Sequence, residues 1–391
     1  MTVLVTYARV RSALATIRCL GKHNIDIVAA DDRTPSTSFY SKYVDSSFIY
    51  PSYKSSPRQF IDCLNRNIEK RKIDVLMPIS EETYIVSKYK EHIKKAKVPV
   101  PEYNSIALAN NKSKLLAFAD SLGINIPKTY RVTKIEELHK ISETVEYPAV
   151  IKLVEGRGSK GLQYVYSKSE LIEKYKYTVE KFKLDSANYP LIQQYLKGSG
   201  FGVSILFNHG DARASFTHKR IREYPMSGGP STARVSIKYP QIEKFARTLL
   251  EEMNWHGVAM VEFKYDELTK KPYLLEVNPR FWGSLYQAIS AGVEFPNLLY
   301  NMALDGDVKP VFNYAEGIKS RWFLGDCRTI IDYIKIKDIA MVKDFLNFYD
   351  SNLYFDDLSF ADPLPAVAEF MIPILNYIKK GRLSFSPEEE R

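Results

Sequence analysis

Short apolar runs and longer amphipathic segments alternate along the first hundred residues of the chain. The apolar runs are MTVLVTYA, NIDIVAADD and IDVLMPISEE, and the amphipathic segments RSALATIRCLGKH and RQFIDCLNRNIEK separate them. Buried strands that alternate with helices are typical of a parallel sheet with right-handed crossovers. The pattern therefore predicts an α/β fold whose first unit, residues 1–105, is a Rossmann-like domain.

The first turn of this unit reads TYARVRS and lacks the glycine pattern of dinucleotide-binding domains. NAD binding is therefore not predicted, although Asp31 and Asp32 occupy the place of a ribose-binding acid. Ser80, Glu81 and Glu82 follow a strand, at the edge where such sheets bind ligands. They would face a substrate, or Ser80 would cap the next helix with acids in its first turn. We favour the cap, and the two roles are compatible.

Two later segments predict a hairpin that carries carboxylates. In KPYLLEVNPRFWGS, Glu276 and Asn278 share one face of a strand, whereas Leu275 and Val277 share the other and can be buried. The upstream segment VAMVEFKYDE carries Glu262 among apolar residues, and a short polar stretch suited to a turn separates the two. Antiparallel pairing would bring Glu262 near Glu276.

This hairpin has the composition of a metal site. Two carboxylates and an amide oxygen on one face provide hard oxygen ligands, which suit magnesium. Arg280, just after the second strand, would face an anion such as phosphate. The alternative interpretation is a hairpin whose solvent face is simply polar.

A lysine and three glycines mark a second candidate site. In YPAVIKLVEGRGSKGLQYVYS, Lys152 lies in an apolar strand, so its ammonium needs a partner, which a polyphosphate would supply. Gly156, Gly158 and Gly161 allow a loop whose N–H groups face phosphate oxygens. The residues after Gly161 are not those of a P-loop, and a strand follows, so a P-loop NTPase is not predicted. The alternative is a flexible hairpin with a snorkelling lysine.

The order of these motifs over residues 1–305 resembles the ATP-grasp superfamily, the fold of biotin carboxylase and carbamoyl-phosphate synthetase. The chain is most similar to the carboligase branch, which contains carboxylate–amine ligase-like proteins. The resemblance implies that residues 1–105 are a pre-ATP-grasp domain and residues 106–305 an ATP-grasp domain with a lid at about 128–190. Residues 306–391 would be a C-terminal extension of unknown role.

The resemblance also implies functions for individual residues of the ATP site. The adenine hinge, in PLIQQYLKGSGFGVSILF, often begins with glutamate in this family, and this chain has glutamine there. The implied residues are Lys112 and Lys152 for the ATP phosphates; Gln193, Gln194, Tyr195 and Leu196 for adenine; Glu262, Glu276 and Asn278 for the metal; and Arg280 as the catalytic arginine.

The segment FTHKRIREYPMSGGPSTARV places basic residues ahead of two glycines, and it is similar to the active-site loop of the carboligase branch. Such a cluster suits a transferring phosphoryl group and an acidic substrate. We assign Lys219 and Arg220 to the phosphoryl group, and Arg222, Ser227, Gly228 and Gly229, with Ser80 and Glu81, to the substrate. A basic strand-turn on the surface is the alternative.

Composition narrows the choice of partners. The chain has 55 basic and 46 acidic residues, a net charge of +9, but the lysines are dispersed and no nucleic-acid-binding signature is visible. Cys19, Cys63 and Cys327 show no metal-binding spacing and are predicted to be reduced thiols of a cytoplasmic protein. No apolar run has the length that crosses a membrane.

The last amphipathic segment, AVAEFMIPILNYIKKGR, places Phe370, Ile374 and Ile378 on one helix face ahead of three basic residues. Peripheral contact with a membrane is one interpretation. We favour a helix docked on the core.

Together these features predict an ADP-forming carboxylate–amine, or carboxylate–thiol, ligase that forms an acyl phosphate. Its cofactors would be ATP and one or two Mg²⁺, with Mn²⁺ as a substitute, and its partners a small-molecule carboxylate and an amine; an oligomer is left open. The alternatives are a biotin-type carboxylase, for which no AMKM-like sequence is visible, and a regulatory nucleotide-binding protein, which would lack the metal ligands.

Overall fold

The computed structural model describes residues 1–156, 161–226 and 228–380. Two predicted site residues, Gly158 and Ser227, lie outside the described residues, as does the side chain of Ile378. Short 3₁₀ helices occur at Thr37–Tyr40, Lys90–His92 and Ile135–Glu137. The helices of the described residues include none with the length and apolar character needed to span a bilayer.

The N-terminal part is a parallel sheet with helices on both faces. Its elements are β1 (Thr2–Val5), α1 (Arg11–Lys22), β2 (Asp26–Asp31), β3 (Ser46–Ile49), α2 (Pro57–Arg71), β4 (Ile73–Met77) and α3 (Glu82–Lys88). The strand order is β3-β2-β1-β4, and every pairing is parallel. Val3 and Val5 pack towards α1, whereas Leu4 packs towards α2, as alternation along a strand requires. The predicted α/β character is confirmed.

A small antiparallel sheet follows two connecting helices. The elements are α4 (Tyr103–Asn110), α5 (Lys112–Ser121), β5 (Thr129–Arg131), α6 (Leu138–Thr144), β6 (Ala149–Lys152), β7 (Gln163–Val165), α7 (Lys168–Phe182) and β8 (Leu191–Gln194). The strand order is β5-β8-β6-β7. Ala149 and Ile151 of β6 pack into the core under α6 and α7, which turns Val150 and Lys152 to the opposite face. We call this unit the lid sheet.

The remaining strands form a central sheet of seven. The elements are β9 (Gly200–Asn208), β10 (Asp211–Glu223), β11 (Ser231–Ser236), α8 (Pro240–Glu252), β12 (Gly257–Asp266), β13 (Lys271–Asn278), α9 (Leu285–Ser290), α10 (Phe295–Asp305), β14 (Lys319–Arg321), α11 (Phe323–Lys335), α12 (Ile339–Leu346), β15 (Leu353–Phe355) and α13 (Leu364–Lys380). The strand order is β13-β12-β9-β10-β11-β14-β15. The last two strands come from residues after 306, so the C-terminal extension completes this sheet.

The two faces of the central sheet have different neighbours. Val203, Val261 and Phe263 pack against α5 and α8. On the opposite face, Phe216 and Met260 join a core shared with α1 and α10. The rest of that face looks onto the lid sheet, and this arrangement leaves a cleft between the two sheets.

Buried ion pairs attach the C-terminal extension to the first domain. Arg18 Nε of α1 lies 2.9 Å from Asp362 Oδ2. The same carboxylate accepts hydrogen bonds from Ser41 Oγ at 2.8 Å and from the Lys42 backbone N–H at 2.9 Å. Because both Arg18 and Asp362 are buried, neither charge has water as a substitute partner, so each depends on the other.

We predict that Asp362→Ala lowers the free energy of unfolding by about 3–5 kcal/mol, since it leaves a buried guanidinium unpaired. Urea unfolding measures this. The double variant Arg18→Met/Asp362→Ala should recover part of the loss. The exposed pair Lys95–Glu69 provides the control, because Glu69→Ala should change stability little. Equal losses in the single and double variants would contradict the role of the pair.

Candidate functional site

A cleft separates the lid sheet from the central sheet. It collects charged side chains of both signs from elements that are distant in sequence. Its lining includes Lys112, Lys152, Gly156, Gln194, Tyr195 and Leu196 on the lid side, and Arg220, Glu262, Lys264 and Glu276 on the side of the central sheet.

The two predicted carboxylates stand opposite each other in this cleft. β12 and β13 are antiparallel, and Glu262 pairs with Glu276, which confirms the predicted pairing. Asn278 Nδ2 donates a hydrogen bond to Glu262 Oε1 at 2.8 Å. Arg220 forms an ion pair with Glu262, and Lys112 Nζ lies 3.1 Å from Glu276 Oε2. A basic group therefore compensates each carboxylate.

The surroundings act differently on the pKa values of the two carboxylates. Burial raises the pKa of Glu262, Arg220 opposes this, and the negative charge of Glu276 adds to it. Burial also disfavours ionised Glu276, but Lys112, Lys152 and Arg220 together hold its pKa below the ordinary value. Two adjacent carboxylates of this kind are stabilised by a cation, which fits a divalent metal ion.

A β-bulge changes the predicted faces of β13. The register shifts after the Glu262–Glu276 pair, so that Phe263 pairs with Leu274 and Leu275 is the extra residue. Leu275 is consequently not buried on the far face but lines the cleft. The prediction that it shares a buried face with Val277 was wrong, because strict alternation fails at a bulge.

Lys152 presents a partly buried positive charge to the cleft. Burial lowers the pKa of its ammonium to about 8; Glu276 opposes this effect and Lys112 adds to it. Among the described residues, no hydrogen bond or ion pair to this ammonium is found. An anionic ligand in the cleft would supply the missing partner.

Lys112 connects the glycine loop to the carboxylates. α5 begins at this residue because the Asn111 side chain accepts the backbone N–H of Lys114 at 3.0 Å. The Lys112 backbone N–H donates to Val154 O at 3.0 Å, and its Nζ donates to Gly156 O at 2.8 Å. The same Nζ reaches Glu276, so one side chain joins three elements of the cleft.

The end of the glycine loop requires glycine. Gly161 has φ of +71°, and a Cβ there would lie 2.7 Å from Leu153 Cγ. A side chain at this position would therefore push the loop away from β6. The predicted strand after the loop, β7, is present.

The hinge supplies three of its four predicted residues to the cleft: Gln194 at the end of β8 and the two residues that follow it. Gln193 pairs with Val150, which lines the cleft, so the two side chains share one face of the lid sheet. The Gln193 side chain is buried there, and its Nε2 donates to Thr129 Oγ1 at 2.9 Å. This amide joins β8 to β5 and is not among the groups that line the cleft.

The basic segment forms the hairpin of β10 and β11, and only Arg220 of its predicted basic residues lines the cleft. Lys219 is exposed, on the opposite face of the strand. A register shift follows Arg220, which pairs with Arg234, whereas Arg222 pairs with Ala233. Because paired residues share a face, the shift turns Arg222 away from Arg220.

Arg222 is buried against the C-terminal extension. Its Nε and Nη2 donate to the two oxygens of Asp326 at 2.8 and 2.6 Å, and Asp344 forms a further ion pair with it. Thr232 Oγ1 also donates to Asp326 at 2.9 Å. The predicted substrate ligand therefore fastens α11 and α12 to the central sheet, with its donors directed away from the cleft.

Gly228 and Gly229, in the turn of this hairpin, line the cleft. A Cβ at Gly229 would lie 2.0 Å from Tyr224 O, so the turn excludes larger residues. Arg280 follows β13, is partly exposed, and donates from Nη1 to Phe281 O at 2.8 Å. It lies two residues beyond Asn278, outside the lining residues.

The predicted acids of the first domain lie outside the cleft lining. α3 begins at Glu82, so the prediction of Ser80 as its N-cap was wrong. No side-chain hydrogen bond caps this helix. The Glu82 side chain instead accepts the backbone N–H groups of Ile79 at 2.9 Å and Ser80 at 3.1 Å, in the segment just before the helix. Glu81 lies 3.7 Å from Lys54 Nζ.

Arg9 pairs with the two acids that stand where a dinucleotide-binding domain has its ribose-binding acid. It forms ion pairs with Asp31 and Asp32, and Ser36 Oγ donates to Asp31 at 2.7 Å.

Several lining residues were not predicted. Lys264 lies two positions after Glu262 on β12, so alternation alone indicates that it shares the Glu262 face. Tyr164 of β7 meets the predicted Tyr195 edge to face, with ring centroids 5.8 Å apart, but nothing in the sequence joins β7 to the segment after β8. Glu223, 3.4 Å from Arg220 Nη1, likewise depends on the tertiary structure.

The residues of the cleft fit magnesium and a polyphosphate. Glu262, Glu276 and the free amide oxygen of Asn278 form a hard oxygen donor set. Lys152 provides a partly buried cation without a partner among the described residues, which suits phosphate oxygens.

Comparisons with known proteins agree with this geometry. Residues 186–324 match a family model described as ATP-grasp in the biosynthetic pathway with Ter operon, and residues 111–200 match the carbamoyl-phosphate synthase L chain ATP-binding domain. Urea amidolyase of Saccharomyces cerevisiae is 30% identical over 167 residues, which are 40% of this chain and 9% of that protein. The chain thus spans less than a tenth of that relative.

Two solved structures share the fold. Biotin carboxylase from Campylobacter jejuni, in a β-γ-ATP complex, has a TM-score of 0.66 and 17% identity over 79% of this chain and 72% of that chain. L-amino acid ligase from Bacillus licheniformis has a TM-score of 0.61 and 16% identity over 79% and 77%. The family-model matches place an ATP-grasp type of ATP-binding region within residues 111–324, and the chain shares its fold with these two structures.

Proposed function

We propose that this protein is an ADP-forming ligase that joins a carboxylate to an amine through an acyl phosphate. The observation that carries the proposal is the arrangement of Lys152 opposite Glu276 and Glu262 in one cleft. A partly buried lysine without a partner among the described residues suits ATP phosphates, and paired carboxylates suit the metal that accompanies them.

The lid side of the cleft would hold ATP. Lys152 and Lys112 would contact the outer phosphates, and the backbone of residues 194–196 would contact the base. Leu275, Val150 and Phe263 provide apolar surface in the same cleft, as a planar base requires.

The carboxylates would hold the metal. Glu262, Glu276 and Asn278 would bind Mg²⁺, which neutralises charge on the phosphates when it is bound. Lys112 and Arg220 contact these carboxylates in the structure. Once the carboxylates bind a metal, both cations become available to phosphate oxygens.

The reaction would proceed in two displacements. An oxygen of the substrate carboxylate attacks the γ-phosphorus, the bond to the β-phosphate oxygen breaks, and ADP leaves. The amine nitrogen then attacks the acyl carbon, the bond to phosphate breaks, and the nitrogen loses a proton. Arg220, with Arg280 near the end of β13, would stabilise charge on the transferring group. The turn at Gly228 and Gly229 would contact the acid, and the lid would exclude water from the acyl phosphate.

A biotin-type carboxylase is the second candidate, because the biotin carboxylase fold is shared and the same cleft would activate bicarbonate. The shared fold does not separate the two, since a solved amino acid ligase covers the same 79% of the chain. We favour the ligase because no AMKM-like biotinylation sequence occurs in these 391 residues. A carboxylate–thiol ligase would share the first displacement.

Lys152→Met is expected to weaken ATP binding by about 1.5–3 kcal/mol, because a charge-assisted phosphate contact is lost. The thermal unfolding midpoint should stay level or rise, since a partly buried ammonium without a described partner is removed. Calorimetric titration with Mg-ATP measures the first effect. Lys70→Met, an exposed lysine on α2, is the matched control.

The pH dependence separates a direct contact from an indirect one. Lys152 of the free protein has a pKa of about 8, so wild-type affinity should fall as pH rises through 8 and the ammonium is lost. The affinity of Lys152→Met should lack this decrease. The same pH profile in both proteins would show that Lys152 does not contact ATP.

Glu276→Gln should reduce ADP formation by more than about 100-fold, because a charged metal ligand becomes neutral at nearly constant volume. The circular dichroism spectrum should be unchanged. Glu252→Gln, at the exposed end of α8, should keep full activity. Wild-type turnover by Glu276→Gln would refute the metal assignment.

Hydroxylamine should intercept the activated acid. With ATP, Mg²⁺ and pooled carboxylates, we expect a hydroxamate together with ADP and phosphate, identified by mass spectrometry. AMP and pyrophosphate would indicate adenylation. Turnover that requires bicarbonate and biotin would favour the carboxylase, and binding of ATP without ADP release for any acid would indicate a regulatory protein.

A further inference from the structure

Exposed apolar side chains are concentrated in the C-terminal extension. Of the 24 large hydrophobic side chains that are exposed in the described residues, 16 lie between 331 and 377. Single exposed apolar residues are ordinary, but a concentrated group marks an interaction surface. Within this group, the side chains on α13 share one face of a single helix.

One face of α13 is docked on the protein. Trp322 Nε1 donates to Glu369 Oε1 at 2.8 Å, Ala368 is buried, and the helix contacts the segment Thr37–Tyr40. Burial raises the pKa of Glu369 to about 7, as expected for a carboxylate turned inward. The docked side therefore contains Glu369, the acidic residue of the helix. The opposite side of the helix faces outward.

The exposed large side chains that the structure describes on α13 are all apolar and share one face. Its side chains are between 39% and 58% exposed. At 100° per residue they cover an arc of roughly 160°, without a charged or amide side chain among them. The face consists of Leu364, Val367, Phe370, Met371, Ile374, Leu375 and Tyr377. Phe370 and Ile374 were expected on a docked face, but the helix docks by its opposite side.

We propose that the outward face of α13 lies on the surface of a membrane that contains anionic lipids. A helix whose apolar face sinks into the boundary between headgroups and acyl chains needs such an arc and needs cations nearby. The inner face of α13 packs on the protein, so the helix lies along the protein surface. In an isolated amphipathic helix a polar face turns away from the membrane; here that side is covered by the rest of the protein.

The charges at both ends of the helix suit an anionic surface. Lys42 is exposed and its backbone N–H donates to Asp362, two residues before α13. In the sequence, Lys379 and Lys380 close the helix. Acidic residues are absent from the outward face described above.

The net charge of the chain favours a lipid surface over a second copy of the protein as the partner of this face. At +9, two copies repel each other, whereas an anionic bilayer attracts each copy. Electrostatics therefore favours contact of this apolar face with anionic lipid over contact with a second copy of the protein.

Co-sedimentation of the full chain with vesicles tests this proposal. We expect binding to vesicles of phosphatidylcholine and phosphatidylglycerol, weaker binding to phosphatidylcholine alone, and a loss of binding as salt increases. Phe370→Asp/Ile374→Asp should reduce binding at least tenfold. Leu268→Asp, an 81% exposed apolar residue between β12 and β13, should bind like the wild type.

Light scattering after size exclusion provides the second measurement. A dimer that Phe370→Asp/Ile374→Asp converts to a monomer, without vesicle binding, would overturn the proposal in favour of a second copy. A wild-type monomer that does not sediment with anionic vesicles would also overturn it. Unchanged ADP release by the double variant would separate this surface from the cleft, and this outcome is the expected one.

Discussion

The opposition of Glu262 and Glu276 is the constraint on which the site depends. The antiparallel register of β12 and β13 forces two carboxylates together in a partly dehydrated cleft. Two negative charges on directly paired residues repel each other unless positive groups lie close by. Arg220 and Lys112 approach from two other elements for this reason, and Lys152 adds its field to Glu276.

The cation that compensates Glu276 also joins separate parts of the cleft. Lys112 contacts Glu276 and the carbonyl of Gly156, so the carboxylates, α5 and the glycine loop share one side chain. Binding of a metal at the carboxylates would change the contacts of Lys112 and thereby affect the loop.

A second set of buried charges gives the C-terminal extension a structural role. Arg222 binds Asp326, and Arg18 binds Asp362, so arginines of the two preceding units each hold a carboxylate of the extension. Buried pairs of this kind add little net stability but strongly penalise separation. The extension is therefore fixed to β10 and α1, and this leaves the apolar side of α13 directed outward.

Sequence alone determined the features that reside within one element or between neighbouring strands. Alternation placed Glu276 with Asn278, and a short turn made the pairing with Glu262 foreseeable. The lysine in an apolar strand and the glycines after it were also visible, because local spacing encodes them. Tertiary structure alone decided where alternation breaks. The bulge that turns Leu275 into the cleft and the shift that turns Arg222 out of it arise from pairing between strands, and the partner of Arg222 lies 104 residues away. Register and long-range charge pairing depend on the packing of the whole chain, so no single segment contains them.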